Sequence, residues 1–164
     1  MSIQFNADEV LQVAEEIERN GATFYRRAAK KAPAGEGREL LMRLAAMEEE
    51  HEQVFMGMRA GLSEAERKPV TFDPDSESAL YLKVMASRHV FDMGSDPMRN
   101  LTGHESMEEV FEIGVQAEKD SIVFYLGLKE LVPARLGKGR LDQIITEEMG
   151  HLGTLGEMLA ELEG

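Results

Sequence analysis

Apolar and polar residues recur along this chain with the three-to-four-residue spacing of amphipathic α-helices, over four long stretches. Two of these stretches open on capping-box patterns, in which a cap residue is followed three positions later by glutamate: Asn6 with Glu9, and Ser106 with Glu109. The pattern therefore predicts helices over about residues 7–31, 36–61, 106–131 and 138–163.

The segments between the helices predict how they are arranged. The turns at 32–35 and 132–137 are short, so each pair of helices should fold back as an antiparallel hairpin. The connection 62–105 is long, and we interpret its amphipathic stretch 76–91 as a short crossover helix, because long structureless loops are rare in compact domains. No stretch predicts a strand. We expect an all-α fold, a single four-helix-bundle domain over 1–164 made of hairpins 7–61 and 106–163.

The two hairpins look like copies of one another. Shifting the sequence by 100 positions lays the second hairpin on the first and matches an aromatic pair, two glutamates and a histidine. The matched residues are Phe24-Tyr25 with Phe124-Tyr125, Glu18 with Glu118, Glu48 with Glu148, and His51 with His151.

Six of the repeated side chains can bind metal ions. Each helix carries a glutamate on its otherwise apolar face at matching depth, and two helices add a histidine one turn later, so all six should meet in the bundle centre. They are Glu18, Glu48, His51, Glu118, Glu148 and His151. Burying four carboxylates without partners would be prohibitive, whereas two divalent cations would neutralise them.

The roles within this set are partly open. Each Glu-x-x-His pair can serve one metal, which leaves Glu18 and Glu118 to bind or to bridge the two metals. Oxygen and nitrogen donors suit iron or manganese, with zinc an alternative. Tyr25 and Tyr125 are either core residues or hold the ligands by hydrogen bonds.

Composition excludes several classes of function. A net charge of −13 and a pI near 4.8 argue against a nucleic-acid partner. No apolar run approaches the ~20 residues that span a membrane, and the first residues do not resemble a signal peptide. The absence of cysteine excludes iron–sulfur clusters and fits a cytoplasmic location.

The segments 16–25, 47–51, 117–125 and 147–151 resemble the rubrerythrin-like branch of the ferritin-like superfamily, whose bundles hold such carboxylate–histidine sets. The resemblance implies a ferritin-like fold with two iron ions that react with dioxygen or peroxide, or that oxidise ferrous iron. An unidentified protein would donate electrons. Without cysteine there is no rubredoxin module, and Ser121 stands where rubrerythrins place a further glutamate. Glu49 replaces the haem-binding methionine of bacterioferritin, so no haem is expected.

The sequence is compatible with three functions: a di-iron oxidase, ferroxidase or peroxidase; an iron-binding or storage protein with little turnover; and a structural bundle that holds zinc. We also expect a homodimer, because the crossover offers more apolar surface than one lid over the bundle needs. The residues concerned are Leu80, Tyr81, Val84, Met85 and Val90.

Overall fold

The computed structural model describes residues 6–68, 80–81, 84–85 and 101–164. Within these ranges the chain forms four long helices, with a 3₁₀ turn before the last, and no strand. The elements are α1 (Ala7–Lys31), α2 (Glu36–Ala60), α3 (Met107–Leu131), the 3₁₀ turn (Ala134–Leu136) and α4 (Lys138–Glu163). None of these helices is long and apolar enough to cross a membrane.

The helix ends follow from local chemistry. At the start of α1 the Asn6 side chain accepts a hydrogen bond from the Glu9 backbone N–H at 2.8 Å, and the Glu9 carboxylate accepts one from the Asn6 N–H. Ser106 and Glu109 form the same reciprocal pair at the start of α3, so both predicted capping boxes are present. Each cap contributes about 1 kcal/mol. Gly137 precedes α4 at φ +99°, a conformation that other residues adopt only with strain.

The helices assemble as two hairpins. α1 packs against α2 and α3 against α4, while contacts of α1 with α3 and of α2 with α4 join the hairpins into one bundle. The predicted all-α four-helix bundle is confirmed. Of the predicted crossover helix 76–91, Leu80, Tyr81, Val84 and Met85 are helical, and the remainder lies outside the described residues.

The buried apolar side chains form two layers, one toward each end of the bundle. The Tyr125 layer combines the starts of α1 and α4 with the ends of α2 and α3, and includes Leu11, Phe55, Tyr125, Leu128 and Ile144. The Tyr25 layer combines the opposite helix ends, and includes Phe24, Tyr25, Leu41, Phe111 and Leu155. The 100-residue repeat exchanges α1 with α3 and α2 with α4, so it also exchanges the two layers.

Candidate metal centre

Between the two apolar layers lies a group of buried polar side chains. It contains all six residues that the sequence singled out, and none of them is more than 5% exposed. They are Glu18, Glu48, His51, Glu118, Glu148 and His151. Carboxylates so deeply buried must be protonated, paired with cations or bound to metal, because an isolated charge in an apolar core is prohibitively unfavourable.

The six residues form two overlapping groups, in each of which four candidate donor atoms lie within 4.8 Å of one another. We call the group of Glu18, Glu48, His51 and Glu148 the His51 site. The group of Glu48, Glu118, Glu148 and His151 is the His151 site. Glu48 and Glu148 belong to both, whereas Glu18 and Glu118 belong to one each. The spacing of the sequence had left Glu18 and Glu118 to bind or to bridge; the geometry makes Glu48 and Glu148 the shared carboxylates.

Both histidines present the same ring atom to the carboxylates. His51 Nδ1 lies 2.8 Å from Glu148 Oε1 and 3.6 Å from Glu18 Oε2. His151 Nδ1 lies 3.1 Å from Glu148 Oε2 and 3.5 Å from Glu48 Oε1. The two rings stack with centroids 5.8 Å apart. Their Nδ1 atoms and the carboxylate oxygens therefore surround a common space along the bundle axis.

Several atoms in this space have no hydrogen-bond partner although they are buried. They are Glu18 Oε2, Glu48 Oε1, Glu148 Oε1 and His51 Nδ1. The short distance from His51 Nδ1 to Glu148 Oε1 therefore joins two atoms that converge without the geometry of a hydrogen bond. Unsatisfied buried polar atoms are uncommon in folded proteins, and convergent donors of this kind are what a cation requires. The donor set fits two divalent cations, whose charge would balance the four carboxylates.

Two tyrosines donate hydrogen bonds across the bundle to Glu18 and Glu118, the outer carboxylates, which belong to one site each. The Tyr25 hydroxyl on α1 donates to Glu118 Oε1 on α3 at 2.5 Å, and the Tyr125 hydroxyl on α3 donates to Glu18 Oε1 on α1. Burial, together with the nearby carboxylates, raises the pKa of both tyrosines well above its usual value. Both hydroxyls therefore remain protonated and can act as donors.

Small residues make room for this arrangement. A Cβ atom added to Gly21 would stand 3.4 Å from Glu48 Oε2, and one added to Gly114 would stand 3.2 Å from the Tyr25 hydroxyl oxygen. Glycine at these positions lets a carboxylate and a hydroxyl approach the neighbouring helix closely.

In the metal-free protein, protons supply the positive charge. Burial, reinforced by neighbouring carboxylates, raises the pKa of Glu48 well above its usual value and that of Glu148 to about 8. Burial alone would lower the pKa of each histidine, but the close negative carboxylates raise it to about 11 for His51 and about 9 for His151. Metal ions must displace these protons.

Sequence reasoning treated two neighbours of the site only as parts of the repeated motif. Glu147 Oε2 lies 2.9 Å from His51 Nε2, and Met47 Sδ lies 3.2 Å from His151 Nε2. Positions 47 and 147 correspond in the 100-residue repeat, but one holds methionine and the other glutamate. That difference was the signal in the sequence that could have drawn attention to them.

Comparison with known proteins yields no matching family model and no matching curated protein. A crystal structure from Thermotoga maritima, of a protein provisionally described as a ferritin-like diiron-carboxylate protein, matches with a TM-score of 0.75 and 26% sequence identity. The match covers 96% of this chain and 97% of that one. The fold is thus ferritin-like, and the likeness, with the buried carboxylate–histidine cluster, indicates a di-metal site.

Proposed function

We propose that this chain is a di-iron carboxylate protein of the rubrerythrin-like kind, whose centre reacts with dioxygen or peroxide or oxidises ferrous iron. The observation that carries the proposal is the sharing of Glu48 and Glu148 between two four-donor groups. Shared carboxylates hold two cations next to one another, and paired metals can act together on a single oxygen species.

The choice of iron rests on the donor atoms. Each site offers three carboxylates and one imidazole, a mixture that suits iron or manganese and contains no thiolate. Iron bound here would supply reversible one-electron oxidation at each of two adjacent positions. The similar chain from Thermotoga maritima carries a diiron-carboxylate description, which supports the same assignment.

The side chains of the cluster would hold the metals and fix the orientation of the carboxylates that bind them. Glu48 and Glu148 would help to hold both metals once their protons are released, while Glu18 and Glu118 would each help to hold one. The hydroxyls of Tyr125 and Tyr25 would fix these outer carboxylates in orientation through the hydrogen bonds described above. The two apolar layers would keep bulk water from the centre and so strengthen its electrostatic interactions.

The test is to load metal-free protein anaerobically with ferrous iron, then add dioxygen or hydrogen peroxide and follow near-ultraviolet absorbance. We expect binding of about two irons per chain, as in two-metal sites generally, and oxidation well above the rate in buffer. Glu118→Ala should abolish this oxidation. Glu50→Ala, an exposed glutamate close to Glu48 on the same helix, is the matched control and should change neither. Tight iron binding without oxidation would instead indicate a storage protein.

One observation favours the structural zinc alternative. Each group contains four protein donors. Structural zinc sites likewise have four protein ligands and no open position. Loading metal-free protein with each metal alone decides between the two: uptake of zinc without uptake of two ferrous ions would overturn the di-iron proposal.

We also propose that the protein forms a homodimer through the crossover. Leu80, Tyr81 and Val84 are 55%, 39% and 42% exposed, and the Tyr81 hydroxyl donates to the backbone oxygen of Val123 on α3. Met85 packs against the Tyr125 layer, and Val90 lies outside the described residues. An apolar patch of this kind favours a partner. A monomer in native mass measurements at micromolar concentration would contradict the proposal.

A further inference from the structure

The two candidate metal sites are related by the internal repeat, but the histidines are supported differently. His51 Nε2 lies 2.9 Å from Glu147 Oε2, whereas His151 Nε2 lies 3.2 Å from Met47 Sδ. The atoms that face the cation space correspond in the two halves, since both rings present Nδ1 to the carboxylates. The halves therefore differ on the far side of each imidazole ring.

Polar groups of His51, Gln143 and Arg140 surround the Glu147 carboxylate. Its Oε1 accepts a hydrogen bond from Gln143 Nε2 at 2.9 Å, and Arg140 Nη1 lies 3.9 Å away, so both carboxylate oxygens are engaged. The side chain is 27% exposed, at the edge of the buried cluster, and joins α4 to His51 on α2. One Glu147 oxygen thus faces the His51 ring and the other faces Gln143 and Arg140, which is the setting of a hydrogen-bond acceptor.

Glu147, as the acceptor behind the His51 ring, determines which ring nitrogen carries the hydrogen. Because Glu147 lies where it can accept from His51 Nε2, the hydrogen of the neutral ring is on Nε2 and the lone pair of Nδ1 faces the cation space. A carboxylate behind the ring also makes the imidazole a stronger donor. Thioether sulfur is a weak acceptor, so Met47 gives His151 much less of this support.

We propose that Glu147 is a positioning residue that makes the His51 site the tighter of the two, so that this site fills first and the His151 site second. The inference rests on the proposed di-metal centre and adds an order of filling to it. Loss of a hydrogen-bonding partner behind a metal-bound histidine typically lowers metal affinity about 10–100-fold. The two sites should differ by a factor in that range.

The repeat provides a matched pair of variants for the test. Glu147→Met gives His51 the neighbour that His151 has, and Met47→Glu gives His151 the neighbour that His51 has. Metal-free protein is titrated with Co²⁺ by calorimetry, and the visible absorption of the bound ion reports its coordination. Far-ultraviolet circular dichroism confirms that each variant remains helical.

Wild-type protein should show two binding steps, the tighter lost in His51→Ala and the weaker lost in His151→Ala. Glu147→Met should weaken the tight step about 10-fold or more and bring it near the weak one. Met47→Glu should strengthen the weak step and leave the tight one unchanged.

Two kinds of negative result are distinguishable. If wild-type protein binds no Co²⁺ in the cluster, both the di-metal centre and the order of filling are refuted. If two ions bind but Glu147→Met leaves both steps unaltered, or weakens them equally, the centre stands and only the role of Glu147 is refuted. Loss of the tight step in His151→Ala would reverse the order and overturn the inference.

Discussion

The hydrogen bonds that the two tyrosines donate across the bundle predict which metal site each tyrosine supports. Tyr125 stands on α3 with Glu118, yet its hydroxyl donates to Glu18 on α1. Tyr125→Phe should therefore weaken metal binding at the His51 site, which contains Glu18, and spare the His151 site. Tyr25→Phe should do the opposite, because the Tyr25 hydroxyl donates to Glu118.

The size of the effect follows from burial and charge. A hydrogen bond to a charged group contributes about 1.5–3 kcal/mol, and Glu18 and Tyr125 are both 0% exposed, so water cannot replace the lost donor. The metal-free protein should be destabilised by about this amount. Since the hydroxyl already donates to Glu18 in the metal-free protein, only part of the loss should affect binding. We expect a fall in affinity near tenfold, the lower end for such partners.

The assay isolates one site at a time. His151→Ala removes the histidine of one site, and Co²⁺ affinity is then measured by calorimetry with either tyrosine replaced. In this background Tyr125→Phe should lower the affinity, and Tyr25→Phe is the matched control. Phenylalanine keeps the aromatic ring, so the packing of Tyr125 on Phe55, with centroids 5.0 Å apart, is retained. Equal losses from the two variants, or a larger loss from Tyr25→Phe, would refute the crossed assignment.

Three further predictions concern the centre as a whole. Glu48→Ala should remove both metals while Glu18→Ala removes one, because Glu48 belongs to both sites; elemental analysis that finds equal losses would contradict this. Metal affinity should rise with pH, because metal must displace protons from groups whose pKa is raised: about 8 for Glu148 and about 11 for His51. An affinity that stays constant between about pH 6 and 8 would refute this prediction. Bound metal should raise the melting temperature, since a ligand at 100 times its Kd adds about 2.7 kcal/mol; an unchanged melting curve in saturating Co²⁺ would contradict this.

Much of the bundle could be predicted because its signals are local. The capping boxes at Asn6 and Ser106 depend on residues three positions apart, and they are present. Helical periodicity also fixed which face each glutamate occupies and at what depth. That information, doubled by the repeat, was enough to predict that the six side chains would lie together in the core, as they do.

The sequence could not predict the contacts between side chains of different helices. Periodicity gives the face and depth of a residue on its own helix, but it does not say how far a side chain reaches toward the next helix. Glu18 and Glu48 lie at similar depths, yet only Glu48 extends into both groups. The crossing of Tyr25 to Glu118 is hidden for the same reason, because Glu18 is the nearer carboxylate along the chain. Glu147 resembles an ordinary surface glutamate until the position of His51 is known.

The centre also joins the two hairpins, which gives its residues a second role. Four of its polar contacts run from one hairpin to the other: Tyr25 to Glu118, Tyr125 to Glu18, His51 to Glu148, and His151 to Glu48. In the metal-free protein the two histidine contacts depend on protons shared between imidazole and carboxylate. Metals held jointly by Glu48 of one hairpin and Glu148 of the other would take the place of those protons between the hairpins. The stability of the bundle and the metal occupancy of its centre should therefore change together, because the same side chains determine both.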